Sequence, residues 1–79
     1  MTPRLRKRSL LLAGHATSIA LEPEFWAVLE DRARSEALSL AGLLARIDEG
    51  RGERPLASAC RVAALSYARE RRPDESPSG

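Results

Sequence analysis

Only one stretch of this chain alternates in the manner of a β-strand. In residues 15–21, Thr17, Ile19 and Leu21 fall on one face, and Ala16, Ser18 and Ala20 on the other. A lone strand leaves its backbone N–H and C=O groups without partners. The pattern therefore predicts pairing with another chain, most simply a symmetric dimer in which residues 15–21 meet their own copy. Leu10-Leu11-Leu12 precedes this stretch, and the pattern leaves open whether residues 9–12 extend the strand across a bulge at Gly14.

Size points the same way. A chain of 79 residues forms one small domain with a marginal core, which usually needs disulfides, a metal or a partner subunit. Cys60 is the only cysteine, so no disulfide forms within the chain. With one histidine, His15, and no calcium-type loop, no metal is expected. A homodimer is the remaining route. Phe25, Trp26 and Tyr67 are the only aromatics, which argues against a large enclosed pocket. The chain has no Gly-rich phosphate loop, no nucleophile–base pair and no metal cluster. Neither an enzyme nor a cofactor is expected. Cys60, on a face of small residues, reads as core rather than as a reactive thiol.

The rest of the chain reads as helix. Pro23 suits the first helical position, and Glu22 and Glu24 suit the positive end of a helix dipole. Phe25, Leu29, Ala33 and Ala37 recur at i+4, predicting a helix over 23–37. Trp26 is either dimer core or partly exposed to a partner. Ser39 is placed to cap a second helix over 40–49, in which Leu40, Leu43, Leu44 and Ile47 form the apolar stripe. Pro55 opens a third, over 55–71, with Leu56, Ala59, Cys60, Ala63 and Tyr67 on one side. Leu21, Phe25, Leu29, Leu44 and Ile47 are the expected core.

The net charge of +2 hides an uneven distribution. Residues 1–21 carry +4, residues 22–53 carry −4, and residues 54–79 carry +2. Arg4, Arg6, Lys7 and Arg8 are expected to form a flexible basic arm over residues 1–9, of the kind that meets polyanions. A domain over 10–71 and a disordered polar tail over 72–79 complete the chain. The apolar run Leu10–Ala13 is shorter than the ~7–15 residues of an export signal. Nothing approaches the ~20 apolar residues of a membrane-spanning helix. A cytoplasmic protein is expected, and one unpaired cysteine fits a reducing compartment.

Several segments carry a resemblance. Lys7-Arg8-Ser9, Ala13-Gly14-His15-Ala16-Thr17-Ser18 and Leu21-Glu22-Pro23-Glu24-Phe25-Trp26 resemble a bacterial subfamily of ribbon-helix-helix DNA-binding proteins. Leu38-Ser39-Leu40, Ile47-Asp48 and the stretch from Leu56 to Val62 are similar to its later helices. The resemblance implies a mainly α fold with one short β-strand. In it an intertwined homodimer forms a two-stranded antiparallel ribbon, here with an extra helical segment. It implies a transcriptional repressor or regulator that lays the ribbon in the major groove of double-stranded DNA. Ala16, Ser18 and Ala20 are then the base-facing residues, and the start of the second helix contacts phosphate. Two helix starts are available for that role, at Ser39 and near Ser58, and the spacing favours Ser39. The chain departs from its relatives at Ala16 and Ala20, where a basic or polar residue is usual. Alanine touches only a thymine methyl, so discrimination would rest on Ser18, His15 and the arm. Those alanines also support an alternative, a protein-binding adaptor or antitoxin-like module that uses its acidic middle or its tail.

Overall fold

The structure, a computed structural model, describes residues 4–71. Its order is β1 (Arg6–Leu12), β2 (His15–Leu21), α1 (Pro23–Ser35), α2 (Leu40–Gly50) and α3 (Leu56–Glu70). The polar tail expected over 72–79 lies outside the described residues.

The expectation of one short strand is corrected. β1 and β2 pair antiparallel within the chain, from Leu12 opposite His15 to Arg6 opposite Leu21. A two-residue turn joins them, with Ala13 at φ 53° and Gly14 at φ 86°. Positive φ at both central residues is the requirement of a type I′ turn, whose twist matches that of the flanking strands. Gly14 is thus half of a tight turn and not a bulge. The ribbon is built from one chain, so the lone-strand argument for an intertwined homodimer loses its premise. Arg6, Lys7 and Arg8, expected in a flexible arm, are strand residues.

The inner face of the ribbon supplies Leu12, Ile19 and Leu21 to the core, and Leu10 packs at its margin. β1 lies against α2 and β2 against α3, while α1 touches both other helices. Leu21, Leu29, Leu43, Leu44 and Cys60 are the largest fully buried side chains. Of the expected core, Leu21, Leu29 and Leu44 are fully buried, whereas Phe25 and Ile47 are half-buried at its edge. Trp26 is buried, and its indole N–H donates to the Arg6 carbonyl at 2.9 Å.

Local signals explain where the helices begin and end. Pro23 opens α1. α1 closes with Leu38 N–H donating to Ala33 O at 2.8 Å and Ala37 N–H to Arg34 O at 3.1 Å. This is a Schellman closure with alanine, at φ 57°, in the position that usually takes glycine. Ser39 caps α2, its Oγ accepting from Gly42 N–H at 2.9 Å. Two polar ties fasten α3 to the rest: Arg61 Nε to Glu22 Oε1 at 2.9 Å, at the entry to α1, and Tyr67 OH to Asp31 Oδ2 at 3.2 Å.

Candidate nucleic-acid interface

The strand register sorts the site residues. Lys7 faces Ala20, Ser9 faces Ser18, and Leu11 faces Ala16. Side chains alternate along each strand, so these three pairs share the outer face, away from the helices. Ser9 and Ser18 share a hydroxyl–hydroxyl hydrogen bond of 3.0 Å across the strands. Lys7, Ser9, Leu11, Ala16 and Ser18 are at least partly open to solvent, and Ala20 is half-buried. Leu11 is 65% exposed and adds an apolar side chain to this face. Sequence reasoning missed Ser9 and Leu11 as surface neighbours of Ser18, because the leading segment reads as an arm. The available signal was Ser9 lying between Arg8 and Leu10, one position out of phase with the leucines that face inward.

Arg6, Arg8 and His15 belong to the opposite face by register. Arg8 reaches over α1, where Nη1 donates to Glu30 Oε2 at 2.8 Å and the guanidinium lies 5.0 Å from the Trp26 ring centre. That places Arg8 over a face of Trp26 with its charge engaged. Arg4 and Arg6 are exposed and meet no carboxylate among the described residues. A shallow groove of about 480 Å³ runs between β1 and α1, with Arg6, Lys7 and Arg8 on one side and Pro23, Trp26 and Glu30 on the other. His15 sits exposed beside the turn, and its carbonyl accepts from Thr17 Oγ1 at 3.3 Å. Lys7, Ala16, Ser18 and Ala20 are therefore gathered on one surface, while Arg6, Arg8 and His15 lie off it.

Ser39 stands at the start of α2 with its hydroxyl oxygen already accepting from Gly42 N–H. The N–H groups of Leu40 and Ala41 lie in the first turn, where a helix provides no carbonyl for them. Ser58 is not a cap: Pro55 precedes α3, and Arg54 Nη1 lies 3.4 Å from the Ser58 hydroxyl. The acids of the middle segment are largely matched. Besides the ties to α3, Glu36 meets Arg32 and Asp48 meets Arg51. The hydrogen bond from Arg61 holds the Glu22 carboxyl below the usual glutamate range. Burial pushes the Cys60 thiol up to about 11, so it stays protonated at neutral pH. Among the described residues no three His, Cys, Asp or Glu side chains converge to hold a metal ion.

The two-stranded ribbon, α1, α2 and most of α3 fall within residues 5–68, which match the family described as the ribbon-helix-helix domain. The chain belongs to this family. A solved structure, described as an uncharacterized protein from Bordetella pertussis Tohama I, is similar at a TM-score of 0.73 and 36% identity. The alignment covers 91% of this chain and 65% of that one, so this ribbon-helix-helix chain spans about two thirds of its neighbour's length. Among curated proteins, none matches. No helix of the described residues is long and apolar enough to cross a membrane.

Proposed function

We propose that this ribbon-helix-helix protein binds double-stranded DNA as a transcriptional regulator, with the outer face of its hairpin turned toward the major groove. The observation that carries the reading is a solvent-facing ribbon with Lys7 on its outer face and with Arg4 and Arg6, which meet no carboxylate among the described residues, beside it. The major groove, about 12 Å wide, admits a two-stranded ribbon. Ser18 is the polar base-facing residue of β2, with Ser9 bonded to it across the ribbon, and Ala16 and Ala20 offer contacts to thymine methyls. Ser39 and the first turn of α2 supply a helix start for a phosphate. His15 lies at the ribbon's tip, off the outer face, where it would reach DNA only from the side of the turn.

Homodimer assembly is part of the proposal, on a different footing from the lone-strand argument. In a hairpin with a two-residue turn, the residues of the non-hydrogen-bonded pairs direct their N–H and C=O groups along the outer edges. On β2 these are Ala16, Ser18 and Ala20, all small. An open edge of this kind pairs with another strand unless something blocks it. A monomer in sedimentation at micromolar concentration would end the dimer reading and leave the DNA reading standing.

DNA binding is tested by fluorescence anisotropy with genomic-fragment duplexes across a salt series. Lys7→Ala, or Arg4→Ala with Arg6→Ala, weakens binding to all sequences alike. Each lost phosphate contact flattens the slope of log affinity on log salt by about 0.9. Arg8→Ala changes that slope less, because Glu30 already holds the charge. Ser18→Ala lowers preference for a selected site by about 1–3 kcal/mol. Absence of binding at low salt would overturn the reading in favour of a protein-binding adaptor.

A further inference from the structure

We propose that the groove between α2 and α3 receives an acidic, amphipathic helical segment of a partner protein. The groove is an open trough of about 330 Å³ on a surface made by the helices, distinct from the outer face of the ribbon. Its floor is apolar, formed by Leu43 and Ile47 of α2 and Ala59, Val62 and Ala63 of α3. Val62 is 46% exposed, and Leu65, one turn further along α3, is 56% exposed. These are two of the four large apolar side chains that the described residues leave exposed, and they lie on the same side of one helix.

The margin is cationic. Arg32, Arg46, Arg51 and Arg54 line the groove from α1, from α2 and from the segment after it. Two carboxylates answer four guanidiniums. Glu36 is shared by Arg32 at 2.9 Å and Arg46 at 3.6 Å, and Asp48 holds Arg51 at 2.6 Å. Among the described residues Arg54 meets no carboxylate, only the Ser58 hydroxyl at 3.4 Å.

Charge and shape together select the occupant. A second copy of this face, with two carboxylates for four guanidiniums, would set one net-positive margin against another, which is unfavourable. A phosphate backbone would satisfy the arginines but leave Ile47 and Val62 of the floor in water. A helix with leucine or phenylalanine on one face and carboxylates on its flanks covers the floor, and the arginine forks bind its carboxylates in bidentate fashion. An open trough suits a helix laid lengthwise better than a small ligand, which needs enclosure over most of its surface.

The test uses the full chain and a synthetic helical peptide as probe, with Leu at i, i+4 and i+7 and Glu on the flanking positions. Its binding is read by anisotropy of a terminal dye. Val62→Glu is placed on an exposed position, and circular dichroism checks that it folds. Arg54→Glu, outside the helices, is the second variant. The proposal expects both variants to weaken the probe at least about tenfold, the equivalent of about 1.4 kcal/mol. It also expects salt to weaken binding and amide shifts to move at Ile47, Val62 and Ala63. Four results would overturn it: no binding, equal binding of a peptide with Lys in place of Glu, binding unaffected by either variant, or competition by duplex DNA. A change in sedimentation caused by Val62→Glu would make the groove an interface between copies instead. Tighter probe binding by Asp74→Lys with Glu75→Lys would make the chain's own C-terminal segment the occupant, and would also sink the proposal.

Discussion

β1 and β2 have the same length and pair residue for residue, yet they are held to the molecule by different forces. β2 places Ile19 and Leu21 on its inner face, both buried, so the hydrophobic effect fixes it to the helices. The inner positions of β1 read Arg6, Arg8, Leu10 and Leu12, and only Leu12 is fully buried. Its first half is held by polar contacts with α1: the Trp26 N–H on the Arg6 carbonyl, and Arg8 against Glu30 and the Trp26 ring. Arg8 and Glu30 are each about 40% exposed, so their ion pair contributes about 0–1 kcal/mol. Order in β1 therefore depends on β2 being in place, whereas β2 would keep its core contacts without β1. A strand anchored this weakly can open locally at a smaller cost than global unfolding.

The sharpest test of this asymmetry sets the two strands against each other. Leu21→Ala should cost about 2–5 kcal/mol in urea unfolding, because a fully buried side chain leaves a cavity. Leu10→Ala, at the half-buried inner position of β1, should cost less, about 1 kcal/mol. Equal effects would show that both strands share one anchoring mechanism. A middle-sized effect is expected from Trp26→Phe, which keeps a ring in the core and removes the bond to Arg6. The loss should be about 0.5–1.5 kcal/mol, and amide exchange should speed up in β1 before β2. Uniform exchange across both strands would contradict a separately tethered β1.

Relief of backbone strain gives a smaller effect. Ala13→Asn supplies a residue that tolerates the left-handed region, and should stabilise the hairpin by about 1 kcal/mol. Ala37→Gly relieves the same conformation at the end of α1, but its added freedom in the unfolded chain offsets part of the gain, leaving about 0.5 kcal/mol. Only the first should slow amide exchange in β1. The mildest effect is at the end of β2, where Glu22 leads into α1 and bonds Arg61 of α3. Its carboxyl titrates lower when folded than when unfolded. The contact therefore stabilises the fold above the ordinary glutamate pKa, and the gain disappears as pH falls through the folded value. Urea midpoints of the native chain and of Glu22→Gln should converge in acid, and a gap that persists there would show that Glu22 acts through something other than its charge.

β2 and the three helices were legible because each carries an apolar period that matches its own geometry. Ser39 was legible as a cap because a short hydroxyl residue precedes a leucine stripe, and the structure puts its oxygen on Gly42 N–H. β1 was not. Its charged first half reads as a solvated arm, Leu10-Leu11-Leu12 cannot alternate, and Ala13-Gly14 lacks the Asn or Asp that usually marks a two-residue turn. As a result Ser9 and Leu11 were absent from the candidate interface, and Arg8 was placed with Arg4 and Arg6 although it is drawn to Glu30. The α2–α3 groove was equally hidden, since Arg32, Arg46 and Arg54 are scattered in sequence and share a margin only once the helices pack.

Periodicity along the chain was enough to set the type of four of the five elements, the inward parity of Ile19 and Leu21, and the excess of cations ahead of the first helix. These are local properties, written at spacings of two to four residues, and they do not depend on what lies across the fold. The pairing partner of β2, the company each arginine keeps and the surfaces left free depend on contacts between distant residues. Such contacts form when a turn in a disfavoured conformation is stabilised by the strands it joins, and when helices bury their apolar stripes against one another. Folding energy is shared across those contacts, so no single segment reveals them.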